Sequence, residues 1–169
     1  PNGHWPVIGD TQALLARLSE FDAVLVAIGN CAIRWQKQQE LLSSGARIAT
    51  VVHPHACVSS LARLGAGTVV MAGAVINVDA VIGDACIINT GASVDHDSVL
   101  ANSVHVSPGA RLSGIVTVGA CSWIGVGAAV RQLIQIGECV MVGAGAVVVK
   151  SVPDGQTVVG NPAKPLSRR

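Results

Sequence analysis

VVMAGAVINVDAVIGDACIINTGASVDHDSVL, residues 69–100, decides the fold. Its aliphatic residues Val70, Ile76, Ile82, Ile88, Val94 and Leu100 stand six apart. Working outward, Val52, Val58 and Leu64 precede this series. Val106, Leu112, Val118, Ile124, Val130, Ile136, Val142 and Val148 follow it without a miss. A helix repeats near 3.6 residues and a strand alternates at about 2, so neither accounts for the period of six. Hexapeptide periods belong to parallel β-helices, where each repeat buries its apolar face by stacking on its neighbours.

Take each aliphatic as position i. Position i−2 is then mostly small, as at Ala74, Ala80, Ala92, Ser98, Ala110 and Ala146. Position i+1 is often glycine, at Gly65, Gly83, Gly119, Gly125, Gly137 and Gly143. An aliphatic at i is expected to point inward, a small residue at i−2 to fit a tight corner, and Gly at i+1 to relieve the backbone where the chain bends. The pattern resembles the left-handed parallel β-helix of the hexapeptide-repeat acyltransferases. In that family three hexads make one turn, so residues 18 apart stack about 4.8 Å from each other. Seventeen in-phase positions then give between five and six turns.

Composition agrees with a repetitive core. Half of the 169 residues are hydrophobic, yet there are one Phe, three Trp and no Tyr. Val, Ile, Leu and Ala must fill the interior, as suits a solenoid. A net charge of +1 gives no strong attraction to nucleic acid or anionic membranes. No stretch reaches the roughly 18 to 20 apolar residues that span a bilayer, and no signal peptide is visible. The cysteines Cys31, Cys57, Cys86, Cys121 and Cys139 form no CxxC or zinc-finger spacing. Cys121 and Cys139 are 18 apart and would stack. They read as buried free thiols acting as small hydrophobes, with a disulfide as the other reading. A cytoplasmic location follows.

Residues 1–51 lack the six-residue period. Asp10 is placed to cap a helix from Thr11 to about Glu20, with Leu14, Leu15 and Leu18 on one face. Ala23–Ile28 is a continuous apolar run and predicts a strand buried on both faces. A second helix is expected from Ala32 to Ser43, stopped by Gly45, and a further strand from Arg47 to Val52. Helix, strand, helix, strand is half of a doubly wound nucleotide-binding unit. A first strand with its glycine-rich turn is not present, and Pro1–Pro6 reads as a loop. The expectation is a piece of a longer polypeptide, with weakened acceptor binding and an intact site for the acyl donor. The organisation is then a partial Rossmann-like α/β segment over 1–51, a β-helix over 52–150 and a tail over 151–169.

Among the five histidines, His53 and His55 have an HxH spacing, but no third ligand closes a zinc site. They read as a solvated loop around Pro54, and no metal is expected. His96 differs, because Asp95 and Asp97 flank it. Adjacent carboxylates hold one imidazole tautomer and stabilise the imidazolium, as a general base requires. The residues alone leave a second reading open, a surface histidine between solvated aspartates. By the 18-residue rule Gly114 lies beside His96.

Asn89-Thr90-Gly91-Ala92-Ser93-Val94-Asp95-His96-Asp97, then His105-Val106-Ser107-Pro108-Gly109-Ala110, resembles the active-site stretch of the sialic-acid O-acetyltransferase-like proteins. These include the UDP-4-amino-sugar N-acetyltransferases of the bacillosamine pathway. The likeness continues through Ser113-Gly114, Trp123-Ile124-Gly125-Val126-Gly127 and Val159-Gly160-Asn161-Pro162-Ala163-Lys164. It reaches back to Ala27-Ile28-Gly29-Asn30 and Arg34, and so covers nearly the whole chain. The resemblance implies His96 as catalytic base and Asp97, where a Glu is familiar, as the acid that orients it. It implies that Asn89 and His105 place the acetyl group or the acceptor, and that the Gly114 amide faces the thioester carbonyl.

The same resemblance implies acetyl-CoA as co-substrate and a homotrimer whose subunits enclose a CoA groove. Gly125, Gly143, Ala144 and Lys150 would line it, with Asn161, Pro162 and Ala163 near the adenine. Turn geometry alone is the other account of those glycines. A UDP-linked amino sugar would bind near Ile28 and Gly29, at the end of the apolar run. The expected reaction is direct acetylation of the sugar's 4-amino group in bacterial glycan synthesis. Two further functions stay open: O-acetylation of a sialic-acid-type hydroxyl, and a non-catalytic β-helix scaffold.

Overall fold

The hexads fold as seventeen two-residue strands, from Val51–Val52 to Val147–Val148, in a computed structural model that describes residues 3–166. Pro1 and Asn2 of the expected opening loop, and residues 167–169 of the tail, lie outside the described residues. Each strand pairs in parallel with the one 18 residues on: Val51 with Val69, His105 with Trp123, Ala129 with Val147. Every third strand therefore shares a sheet, and three sheets wall a left-handed, mainly β solenoid. The first sheet carries Val51–Val52 and its equivalents. The second carries Cys57–Val58 and its equivalents, and the third Arg63–Leu64 and its equivalents.

Two inward positions per hexad make the core. Ile76, Ile88, Val94, Val106 and Ile124 stack at i, and Ala74, Ala80, Ala92 and Ala110 fill the corners at i−2. The hydroxyls at i−2 are satisfied between turns. Ser122 Oγ donates to the Gly137 carbonyl (2.7 Å) and accepts the Val140 N–H (2.9 Å). At the open end the pattern fails, because no turn lies below: Val52 is 42% exposed, and Val58 and Leu64 are only half-buried.

The glycines at i+1 serve a purpose other than the expected one. A Cβ on Gly125 would lie 2.5 Å from the Val142 carbonyl oxygen, so it is the next turn that forbids a side chain. The left-handed backbone falls two residues later, at i+3, where Gly91, Asp97 and Ile115 all have φ near +60°. For a β-branched residue such as Ile115 this conformation costs about 1–3 kcal/mol.

The N-terminal segment is less regular than the sequence predicts. Helix α1 spans only Thr11–Leu15 and is followed by a separate 3-10 turn, Leu18–Glu20. Asp10 does cap it, accepting the Ala13 N–H at 2.9 Å. Arg17 leaves the helical region, because Leu14 and Leu15 are only half-buried and a helix this short has little packing to hold it. The run 23–28 is not a doubly buried strand. It makes one parallel bridge, Val24 to Ile48, and only Val26 is buried. A parallel strand needs partners and cover on both sides, and this one has a single neighbour. The expected strand 47–52 is divided: Ile48 bridges to Val24, whereas Val51–Val52 already belongs to the solenoid.

Helix α2 spans Cys31–Ser43, capped by Asn30 Oδ1 on the Ile33 N–H (3.0 Å). Its buried stripe is Cys31, Arg34, Gln38 and Leu41. The polar members bond to the corner where the third sheet meets the first. Gln38 donates to the Ala66 carbonyl (2.8 Å), and Arg34 to Ala85 (2.7 Å) and Ser103 (3.0 Å). After Val148 the hexads end. Thr157–Val159 extends the first sheet beside Met141–Val142, and Lys164–Pro165 returns antiparallel to it. All five cysteines are free, but only Cys31 and Cys86 are buried, while Cys57 and Cys139 are exposed.

Candidate active site

His96 stands at the corner between the second and third sheets, half exposed to solvent. The left-handed φ of Asp97 (+57°), a conformation Asp tolerates, turns its carboxylate back toward the ring. His96 Nδ1 and Asp97 Oδ2 are 2.8 Å apart. Asp95 does not touch the ring, contrary to the expectation of an acid on each side. Its Oδ1 accepts the His96 N–H (3.0 Å) and Asn77 Nδ2 (2.7 Å), and so fixes the backbone of the turn. The bond to Asp97 raises the His96 pKa; partial desolvation opposes this, and the charges of Asp95 and Asp97 add to it.

The ring lies over Gly114. A Cβ there would sit 2.5 Å from both Cε1 and Nε2 of His96. The turns are coupled by the Ile115 N–H, which donates to the His96 carbonyl at 2.9 Å. The Gly114 N–H itself donates to no group among the described residues. One corner thus presents a ring nitrogen, Nε2, with no carboxylate on it, and a free backbone donor beside it. A base and an oxyanion donor side by side are what acyl transfer to an amine or hydroxyl needs.

His105 occupies a different environment nine residues later. It faces outward from the first sheet, yet it is only 6% exposed because the N-terminal segment covers it. Its ring packs on Trp123, its register partner on the next turn, with centroids 4.0 Å apart. Its Nε2 is 3.2 Å from Asn89 Nδ2. Burial pushes its pKa down to about 4, the Arg34 guanidinium lowers it further, and the Gly29 carbonyl opposes both.

Ile28 and Gly29 lie against this second group. Their carbonyls accept Arg34 Nη1 at 2.8 and 2.7 Å. Within one chain, Asn89 and His105 are brought together with Ile28 and Gly29, while His96, Asp97 and Gly114 form a separate group at another corner. The residues expected to line the CoA groove also divide. Gly125, Gly143 and Ala144 follow strands of the first sheet, whereas Lys150 follows the second. Lys150, Pro162 and Ala163 share the wall of a cavity of about 450 Å³ at the closing end of the solenoid. Asn161 precedes Pro162 through a cis peptide bond.

The structure adds residues whose part the sequence reading missed. Asn77 was findable, since it lies 18 residues before Asp95. The anchoring role of Arg34 and Gln38 had no hydropathy signal, because they are polar side chains in a buried stripe. No cysteine lies on the His96 corner, and burial pushes the Cys86 thiol up to about 12, far from a nucleophilic thiolate. His53 Nδ1 accepts the His55 N–H at 3.0 Å. No group of three or more His, Cys, Asp or Glu among the described residues is disposed to hold a metal ion. No helix among them is long and apolar enough to cross a membrane.

No protein-family model matches the chain, and no curated protein does either. Solved structures do. The acetyltransferase domain of PglB from Neisseria gonorrhoeae, in complex with acetyl coenzyme A, is 48% identical with a TM-score of 0.95, over 98% of this chain and 80% of that one. PerB from Caulobacter crescentus, in complex with CoA and GDP-perosamine, is 43% identical with a TM-score of 0.94, over 96% and 79% of the two chains. Variants of the Caulobacter GDP-perosamine N-acetyltransferase in which a histidine is replaced have been solved with CoA and GDP-perosamine. WeeI from Acinetobacter baumannii is 30% identical with a TM-score of 0.85, over 98% and 80%.

Proposed function

Since the chain belongs to the hexapeptide-repeat β-helix acetyltransferases, we propose that it transfers acetyl from acetyl-CoA to the 4-amino group of a UDP-linked amino sugar. The observation that carries this reading is the His96 corner. When the neutral ring donates Nδ1–H to Asp97, Nε2 keeps its lone pair and can take the proton that the sugar amine loses as it attacks. The Gly114 N–H is a free donor for the thioester oxygen as negative charge develops there; one such donor is typically worth about 3 kcal/mol. The amine nitrogen forms the new bond to the acetyl carbon, the C–S bond breaks, and the departing thiolate takes the proton held on His96 Nε2, so that CoA leaves as the thiol and the ring is neutral again. No covalent acyl-enzyme is needed, in keeping with the absence of a cysteine on this corner.

Asn89 and His105 would then place the acetyl group or the acceptor, and Ile28 and Gly29 the nucleotide sugar. Gly125, Gly143, Ala144, Lys150, Asn161, Pro162 and Ala163 would contact CoA. In a single chain these groups occupy different corners. A homotrimer, with a second copy bringing its first-sheet residues to the His96 corner, reconciles them. A cytoplasmic setting supplies both substrates.

The test is acetyl-CoA consumption by wild type and His96→Ala with UDP- and GDP-linked 4-amino sugars and free sialic acid. Turnover is expected with UDP-linked amines and lost in the variant. A preference for the GDP-linked sugar overturns the nucleotide assignment, and a preference for sialic acid the N-acetylation. No turnover with any acceptor leaves a scaffold. Sedimentation of the full chain reads the trimer.

A further inference from the structure

The Asn89 amide is oriented by two fixed contacts. Its Oδ1 accepts the Thr90 N–H at 2.8 Å, so the other arm of the amide is the NH₂ group. That NH₂ points at His105 Nε2, 3.2 Å away. An amide NH₂ can only donate, so Nε2 must be the acceptor and the proton of the neutral ring must sit on Nδ1. Nδ1 is buried without a hydrogen-bond partner of ordinary geometry, and the polar group facing the ring is the Gly29 carbonyl. That carbonyl is itself held by Arg34. The charged group bearing on the ring is the Arg34 cation from α2, which disfavours a second proton.

We infer that His105 is a positioning residue: as the neutral Nδ1–H tautomer it holds the Asn89 amide so that one N–H is spent on the ring and the other is left for an oxygen of a bound substrate. The roles of these two side chains are thereby separated. Asn89 touches the substrate, and His105 acts through it. The inference rests on the acetyltransferase reading for the word substrate, but the tautomer does not depend on it. Arg34, Gly29, His105 and Asn89 form one line of contacts from the N-terminal segment to the first-sheet corner.

The first test needs no substrate. Long-range proton–nitrogen correlation spectra of the ¹⁵N-labelled wild-type chain should show His105 with Nδ1 protonated and Nε2 bare, unchanged between pH 8 and about 5. Protonated Nε2, or titration near the ordinary histidine pKa, overturns the inference while leaving acetyl transfer untouched. The second test is kinetic. His105→Phe keeps a ring over Trp123 but offers no acceptor, and it should lower kcat/KM about tenfold or more. His105→Gln restores an acceptor oxygen and should recover most of that loss. Asn89→Ala should cost at least as much as His105→Phe, and the double variant no more than Asn89→Ala alone. Fully additive losses, or a Phe variant as active as wild type, overturn the assignment.

Discussion

Two histidines nine residues apart in the chain are opposites in the molecule. His96 projects from a bare corner, its ring half exposed, with a carboxylate on Nδ1. His105 lies under the N-terminal cover, against Trp123 and near a buried guanidinium, with an amide on Nε2. One imidazole is pushed up and the other down to about 4. The same side chain is thus solvent-facing with a bare Nε2 at one site and, by the inference above, a fixed neutral acceptor of a hydrogen bond at the other. The difference comes partly from position, since His96 lies in a turn and His105 begins a strand, and partly from what the neighbouring turns and α2 bring.

His96→Ala is expected to break the comparison most severely. Loss of a general base lowers rates by about 10²–10⁴-fold, with the melting temperature nearly unchanged because the side chain is half exposed. A loss below tenfold in kcat would remove His96 from the chemistry. Gly114→Ala comes next. Its Cβ collides with Cε1 and Nε2 and forces the ring aside, and a displacement of about 1 Å costs on the order of 10²-fold. Single-turnover rates check this; an unaltered rate would mean that the ring need not lie where it does.

Arg34→Leu strips the donor from four carbonyls, those of Ala85, Ile28, Gly29 and Ser103. We expect about 2 kcal/mol of destabilisation in urea and a His105 pKa that moves back up. An unchanged pKa would show that burial alone holds the ring neutral. Asp97→Asn should lower kcat on the order of tenfold, well below the effect of a buried carboxylate partner. The base works when neutral, so the rate falls as pH drops through the His96 pKa. Asp97 raises that pKa, so the variant's acid limb should move to lower pH. A limb that stays in place would assign it to another group.

The smallest effect is on acid stability. The folded pKa of His105 lies near 4, below its unfolded value, so between the two the unfolded chain binds more protons. Stability from this group is present above about pH 6.5 and is lost as pH falls toward 4. Melting curves of His105→Phe should show a shallower decline across that window than wild type.

Much of this was legible because the solenoid is a one-dimensional object. The register of 18 residues predicted that Gly114 lies beside His96, and would have predicted Asn77 beside Asp95 and Trp123 beside His105. The same ruler gave no account of α2. A hydropathy reading looks for apolar faces, and the face that α2 buries contains Arg34 and Gln38, whose value lies in carbonyls from turns 28 to 69 residues away. The expected strand 23–28 failed for the converse reason: an apolar run marks a wish for burial, and here only one neighbour supplies it.

By itself, the sequence determined the β-helix, its phase and its turn length, because a strict period leaves only one way to stack aliphatics in a column. It also determined that Gly114 lies beside His96, the corner on which the proposed proton transfer rests. Tertiary structure alone decided that His105 is buried beside a cation, that Asp95 serves the backbone while Asp97 serves the ring, and that one histidine stands at a corner and the other on a sheet face. Those outcomes depend on burial, on a cation brought in from α2 and on the left-handed turn at Asp97, none of which has a local signature in the chain.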